Sequence, residues 1–209
     1  VMETRWLRDS TYLNQILNTW YHGNDGKAMQ KMEKFSSWNP AAVYEAYKVN
    51  GNKSFLLNLK PSLEEEYARW QSTHRLDNGL YWQEDVRDGM EESASGGRKK
   101  KFARPTINSY MYGNAMALAE MNRIAGDNGK ADGYKKEATE LKSLVENKLW
   151  NKNDAFFETM KGDSSANVRE AIGFIPWYFN MPDAKTYDEA WKQATDEKGF
   201  SAPYGLTTC

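Results

Sequence analysis

Carboxylates and aromatic rings crowd into residues 81–93, which run YWQEDVRDGMEES and hold five acids and one arginine. A run of charges is ordinarily a solvated surface, and that interpretation stays open. Two features favour chemistry instead. Gly89 suits a tight turn that presents a side chain into a cleft. Tyr81 and Trp82 offer flat apolar partners to sugar rings and lower the local dielectric, which raises the pKa of a nearby acid. Acids beside aromatic rings are the groups that glycoside hydrolysis uses.

The segment Arg104 to Gly113, RPTINSYMYG, is a second concentration of polar groups. Arg104, Asn108 and Tyr112 have donors and acceptors suited to sugar hydroxyls. The alternative is a helix entry, with Asn108 or Ser109 as the N-cap and the tyrosines packed below. Both interpretations can hold together, and both stay open.

Composition excludes several classes of function. The chain of 209 residues has 28 Lys and Arg against 29 Asp and Glu, so it lacks the positive field that binds nucleic acid. No apolar run approaches the ~18 residues of a membrane span. One cysteine and two histidines predict no disulfide, no metal site and no cofactor site built on them. The basic run at 98–101 is expected to be a solvated loop.

Hydrophobic spacing, caps and stop signals predict an all-α chain of helices joined by Gly turns and long loops. Gly23, Gly51 and Gly126 supply stop signals. The run Ser62-Leu63-Glu64-Glu65 fits a capping box and predicts that a helix starts there. The predicted helices are Ser10 to Tyr21, Pro40 to Asn50, Ser62 to His74, Tyr110 to Ala125, Tyr134 to Trp150 and, shorter, Asp188 to Ala194.

A weak internal repeat relates the two halves of the chain. In each half a helix ending at a Gly is followed by another helix, an aromatic turn and an acid-bearing loop, residues 85–92 in one half and 168–170 in the other. Paired helices with acidic loops at one end indicate a helical-hairpin toroid. A superhelical repeat protein would need periods of ~34 or ~40 residues, which are absent. We therefore expect the loops at 77–107 and 151–168 to open on one face.

The segment Gly89-Met90-Glu91-Glu92-Ser93 resembles the Gly-Trp-Asp-Asn-Ser or Gly-Met-Asp-Asn-Ser segment of the (α/α)6 glycosidases related to trehalase, mannosylglycerate hydrolase and glycoside hydrolase family 63. The resemblance implies a six-hairpin toroid and a general acid at Glu91. Glu stands where Asp is usual, so Asp88 remains the alternative acid. Four further segments look like bacterial members of the group: 5–9, 36–38, 104–113 and 169–174.

The resemblance also concerns the start of the chain, where Arg5, Trp6 and Asp9 lie close in sequence. In similar enzymes an Arg or Asp near this point hydrogen-bonds the sugar in the minus-one subsite. A buried ion pair under a packed indole is the alternative. Aromatic residues at predicted loop ends are candidates for stacking on a sugar, whereas those on helical faces are expected in the core. The first set is Trp38, Trp177 and Tyr204, and the second is Trp20, Trp70, Trp150 and Trp191.

The sequence thus predicts a hydrolase that cleaves an O-glycosidic bond of an oligosaccharide or glycan with inversion. Its expected partners are a carbohydrate substrate and the rest of its own catalytic domain, not nucleic acid or membrane. The predicted catalytic residues are Glu91 and Asp88. The predicted substrate-binding residues are Arg5, Trp6, Asp9, Trp38, Trp82, Asp85, Arg104, Asn108, Tyr112, Glu170 and Tyr204.

The resemblance implies a general base near the end of the toroid, and the chain carries fewer helices than a closed toroid needs. We therefore expect residues 1–209 to be part of one (α/α)6 domain, incomplete at one or both ends and inactive alone. A periplasmic or secreted location is expected rather than a cytoplasmic one. Two alternatives stay open. One is a non-enzymatic glycan-binding or helical scaffold domain, and the other is a toroid epimerase or lyase, for which His22 and His74 are the histidines on offer.

Overall fold

The computed structural model describes residues 3–23, 32–90 and 92–209. Helices dominate this part of the chain, which confirms the all-α class. None of the helices described there has an apolar stretch long enough to cross a membrane. The helices are α1 (Thr11–His22), α2 (Asn39–Asn50), α3 (Lys53–His74), α4 (Pro105–Ala125), α5 (Asn128–Lys148), α6 (Ile175–Tyr178) and α7 (Ala184–Tyr187).

Helices α1 and α2 match their predicted ranges, but the next three begin earlier than predicted. Helix α3 continues past Pro61 without a break and begins directly after Asn52. The side-chain oxygen of Asn52 accepts the Phe55 N–H at 3.0 Å. Ser62 therefore lies inside the helix, and the capping box predicted there is wrong. Helix α5 starts behind Asp127, which caps the N–H of Lys130 at 3.0 Å. Both caps are ordinary N-cap residue types.

Helix α4 begins at Pro105, so the predicted N-cap at Asn108 or Ser109 is also wrong. Proline suits the first helical position, because the N–H it lacks would have no partner there. The predicted helix at 188–194 is a 3-10 segment that follows α7. Trp191 lies on it with 46% of its surface exposed, so its predicted place in the core is wrong, whereas Trp70 is buried as predicted.

The chain divides into two compact units. The first comprises residues 1–73 and 113–138, and its core is formed by apolar faces of α1, α2, α3 and the parts of α4 and α5 that belong to it. The segment Glu3–Trp6 packs on α2. The buried core residues include Leu13, Leu17, Val43, Leu56, Leu63, Tyr67, Trp70, Leu118 and Met121.

The core of the first unit also holds a carboxylate. Glu66 on α3 is 2% exposed and accepts hydrogen bonds from the hydroxyls of Tyr21 on α1 and Ser37. The Asn39 side chain, in the first turn of α2, also hydrogen-bonds it. Burial raises the pKa of Glu66 despite these three donors. One buried acid thus joins three segments of the unit.

The second unit comprises residues 74–112 and 139–209. It contains short antiparallel strands, four of which form one sheet in the order 82–83, 102–103, 160–161 and 164–165, with Trp82 opposite Ala103 and Ala103 opposite Met160. The strands are β1 (Trp82–Gln83), β2 (Phe102–Ala103), β3 (Trp150–Asn151), β4 (Phe156–Phe157), β5 (Met160–Lys161), β6 (Ser164–Ser165), β7 (Ser201–Ala202) and β8 (Gly205–Leu206).

Aromatic rings form one cluster in the second unit's core. Phe156 is fully buried, packs edge-on against Phe174 at 4.8 Å between ring centroids and lies tilted against Phe200 at 5.3 Å. Trp177 meets the ring of Phe157 at 5.3 Å, so it packs on this core rather than standing at a loop end. Gly173 lies where any side chain would meet the Phe156 ring and the Phe157 carbonyl oxygen.

We predict that Gly173→Ala destabilises the second unit by about 1–3 kcal/mol, because the added methyl group overpacks a core whose obstacles are a buried ring and a backbone atom. The control is Gly133→Ala in α5, where a methyl group meets nothing within 4 Å and alanine gains up to about 1 kcal/mol of helix propensity. Hydrogen exchange of peptides covering 150–181 and 128–148 in the full-length protein measures both. Equal protection in the two variants would contradict the packing described here.

We also predict that Glu66→Gln changes the pH dependence of stability. Because the folded-state pKa of Glu66 is raised, the unfolded chain releases its proton first, near pH ~4.3. Wild type then loses stability relative to the variant as pH rises from there through the folded-state pKa. Urea unfolding of the full-length protein, followed by hydrogen exchange in α3 from pH 4 to 7, measures the difference. A difference that is constant or grows in favour of wild type would contradict the assignment.

Candidate active site

Arg104 is the centre of the polar cluster in the second unit. Its residue lies between β2 and α4, and its side chain is fully buried. Nε donates to Asp88 Oδ2 at 2.9 Å, and the Thr106 hydroxyl donates to the same oxygen. A buried guanidinium costs several kcal/mol unless its charge and donors are matched, and Asp88 supplies both.

The remaining Arg104 donors hold the far side of the loop. Nη2 donates to the Ser93 hydroxyl at 3.1 Å, and Nη1 donates to the Gly96 carbonyl at 3.2 Å and the Ser95 hydroxyl at 3.4 Å. Gly97 follows with φ +123°, and a side chain there would press on Arg104 Nη1 and on the Phe102 ring. The loop at 85–97 is therefore folded around one guanidinium.

Glu170 connects this loop to the second acid-bearing segment. Its Oε1 accepts the Ser93 hydroxyl at 2.6 Å, and its Oε2 lies 3.9 Å from Arg104 Nη2. The carboxylate is 2% exposed. The pairing of β2 with β5 also joins a residue of the 77–107 stretch to one of the 151–168 stretch. That these two loops open on one face stays a prediction.

The two carboxylates share one cation, which leaves the cluster with excess negative charge. Burial raises the pKa of Asp88, although the Thr106 hydroxyl and Arg104 oppose the shift. Asp88 Oδ1 has no hydrogen-bond partner among the residues that the structure describes. Burial and the charge of Asp88 also raise the pKa of Tyr110.

The backbone of residues 85–90, before Glu91, forms a tight turn. Asp85–Asp88 is one turn of 3-10 helix, which Gly89 ends with φ +76°. The Met90 N–H closes the turn onto the Asp85 carbonyl at 3.1 Å. Asp85 is buried, and its side chain accepts the Val86 N–H at 2.7 Å. Glu91, the predicted general acid, lies outside the described residues.

Asn108, Trp82 and Tyr112 are engaged within the protein. Asn108 is fully buried, and its amide makes three bonds to backbone groups: Tyr81 N–H at 2.8 Å, Tyr81 carbonyl at 2.9 Å and Arg104 carbonyl at 2.9 Å. Trp82 stacks on His74 at 4.3 Å and has the Lys101 ammonium 5.2 Å from its ring. Tyr112 is 9% exposed, and burial raises its pKa. Their binding to sugars stays a prediction.

Four other predicted residues lie in the first unit. Trp6 is 55% exposed, and the buried Arg5 guanidinium lies 4.5 Å from its ring. Asp9 accepts the Thr11 N–H at 2.9 Å and so caps α1. Trp38, half-buried, is the residue before α2. Arg5 and Asp9 thus support Trp6 and α1, and this arrangement leaves the Trp6 ring open to solvent. In the second unit, Tyr204 is fully exposed.

The sequence analysis assigned no role to several residues that the structure places in these clusters. Thr106 and Ser93 lay within the quoted motifs and Ser95 two positions beyond one, but hydroxyl groups carry no charge pattern that would have singled them out. Nothing in the sequence distinguished Glu66 from other polar residues on a predicted helix. No group of three or more His, Cys, Asp or Glu residues placed to hold a metal ion occurs in the described ranges. The cluster around Arg104 provides carboxyl groups that are held by hydrogen bonds.

Comparison with known proteins shows which family the chain belongs to. The model of the mannosylglycerate hydrolase MGH1-like glycoside hydrolase domain matches residues 1–209. A solved structure named sialidase is 66% identical and covers 98% of the chain with a TM-score of 0.94, and the match takes in 19% of that protein. An uncharacterized protein of Borreliella burgdorferi is 25% identical over 166 residues, 78% of the chain and 34% of its own length.

The chain thus spans about a third of the curated relative and about a fifth of the solved one. The family match extends over the whole sequence, as the resemblance of its motifs predicted. The chain belongs to the mannosylglycerate hydrolase MGH1-like glycoside hydrolase domain family.

Proposed function

We propose that the chain is part of an (α/α)6 toroid domain that hydrolyses an O-glycosidic bond with inversion, with Glu91 as the general acid. Family membership supports glycan cleavage in general. The solved relative is named a sialidase, which is also a name for a glycosidase, but it is matched over 19% of its length, so its name does not identify the sugar.

One observation carries the assignment of the acid: Arg104 binds the loop on both sides of Glu91. Asp88 lies three positions before Glu91 and Ser93 two positions after it, and both hydrogen-bond the same guanidinium. Described residues on either side of Glu91 are therefore held by one buried side chain. A general acid needs such support, because a misplacement of about 1 Å can cost 100-fold in rate.

The proposed reaction is a single displacement. Glu91 gives its carboxyl proton to the glycosidic oxygen as the bond from that oxygen to the anomeric carbon breaks, and the leaving group departs as an alcohol. Water attacks the anomeric carbon from the opposite face and loses a proton to a second carboxylate. In inverting enzymes the two carboxyl groups are ~6.5–9.5 Å apart. We propose that a part of the domain outside residues 1–209 supplies the second carboxylate.

Asp88 is the alternative acid, and its contacts favour a supporting role. Its Oδ2 accepts from Arg104 Nε, which can only donate, and from Thr106. That oxygen is therefore occupied as an acceptor inside the protein. Trp6, backed by Arg5, is one of the exposed aromatic residues of the first unit, and we propose it as a contact for a sugar ring.

We predict that Glu91→Gln lowers turnover of a natural glycoside by ~10²–10⁴-fold while folding survives, because the variant keeps the shape of the side chain but has no proton to give. A fluoride or dinitrophenolate leaving group needs little protonation, so the loss on such substrates should be much smaller. Steady-state kinetics of the full-length protein on both substrates measures the contrast. Equal losses would indicate a binding residue, and a wild-type protein that binds glycans without cleaving any would indicate a non-enzymatic domain.

The matched variant is Asp88→Asn. We predict a loss that is similar on natural and activated substrates, together with lower stability, because the buried Arg104 loses its charged partner. The same two substrates and a thermal unfolding scan measure both effects. If Asp88→Asn shows the loss that depends on the leaving group and Glu91→Gln stays near wild type, the acid is Asp88.

A further inference from the structure

We propose that Glu66 is a positioning residue for Trp38, holding this indole in place as a sugar-stacking surface. The inference rests on the proposed function. It starts from a buried carboxylate that the proposed reaction does not use, in the core of the first unit.

Glu66 reaches the chain on both sides of Trp38. The Ser37 hydroxyl donates to Oε1 of Glu66, and the Asn39 side chain also hydrogen-bonds the carboxylate. The residues immediately before and after Trp38 are therefore tied to the same side chain of α3. On its other oxygen, Glu66 accepts the Tyr21 hydroxyl, which fixes the carboxylate against α1.

A second side chain holds the same segment from α4. Asn114 donates from Nδ2 to the Ser37 carbonyl at 3.2 Å and accepts the Ala41 N–H on Oδ1 at 3.3 Å. The Trp38 carbonyl accepts the Ala42 N–H at 2.9 Å and so starts α2. The peptide groups around Trp38 are thus fixed by side chains of two long helices and by the first turn of a third.

This arrangement suits a stacking surface better than it suits packing alone. Trp38 is half-buried, so part of its surface faces solvent. Its neighbours Ser37, Asn39 and Ala41 are held in place by hydrogen bonds to side chains. An aromatic platform gains affinity when its ring is held in the binding orientation before the ligand arrives, because less entropy is then lost on binding. Among the described residues the hydrogen bonds to Glu66 come from hydroxyl and amide groups, not from a cation. Burying an acid in this way costs stability, which suggests that Glu66 has a functional role.

The test is a double-mutant cycle in the full-length protein, with the dinitrophenyl glycoside that it hydrolyses fastest. We expect Glu66→Gln and Ser37→Ala each to raise KM by about three- to tenfold with little change in kcat, because stacking holds the ground state and the transition state alike. In a Trp38→Ala background, which itself has a raised KM, neither change should raise KM further.

The control is Glu64→Gln, two positions away on α3. It removes the same charge from a carboxylate that bonds Lys60, Lys130 and Asn122 and has no contact with the Trp38 segment among those described, so KM should stay near wild type. If Glu66→Gln does not fold, Ser37→Ala decides the result, since it removes one hydroxyl. A stability loss without a KM change, or a full effect in the Trp38→Ala background, overturns the proposal. Hydrolysis with the contrast predicted for Glu91→Gln would then leave the proposed function standing, whereas a protein that cleaves no glycoside contradicts both.

Discussion

The second unit depends on the burial of one positive charge. Arg104 is fully enclosed, and losing a partner of such a charge typically costs about 3–5 kcal/mol. Asp88, Ser93, Ser95 and Gly96 satisfy its donors. The described residues of this loop, 85–90 and 92–97, form no regular structure beyond one 3-10 turn, so their shape depends on the guanidinium. A lysine would supply the charge but not the planar fork that reaches both sides of the loop.

The same principle operates with opposite charge in the first unit, where Glu66 gathers hydroxyl and amide donors from α1 and from the segment before α2. In each unit a buried charged group on or beside a long helix holds a loop that carries a candidate functional residue. Helices fix such supports better than loops do, which is the arrangement expected of a preorganised site. The aromatic core against Gly173 provides further close packing within the second unit.

Sequence reasoning predicted the helix class, α1 and α2, and the family, because apolar spacing and short motifs are local signals. It missed the start of α3, although Asn52 is an ordinary cap, since the capping box at Ser62 offered a competing signal. It also missed the start of α5 behind Asp127. It found Asp88, Arg104 and Glu170 as charged residues but could not pair them, because their contacts join positions far apart in the chain. The prediction that Trp191 lies in the core was wrong because the segment around it is a 3-10 helix, which does not keep the spacing of an α-helical face.

The central claim is that the loop held by Arg104 presents Glu91 to the glycosidic oxygen. A crystal structure of the full-length Glu91→Gln variant with an uncleaved glycoside tests it most directly. The account predicts that the side chain at position 91 lies about 2.6–3.2 Å from the glycosidic oxygen, with the bonds of Arg104 to Asp88 and Ser93 intact. A glycosidic oxygen in contact with Asp88, or bound away from residues 85–97, would contradict it.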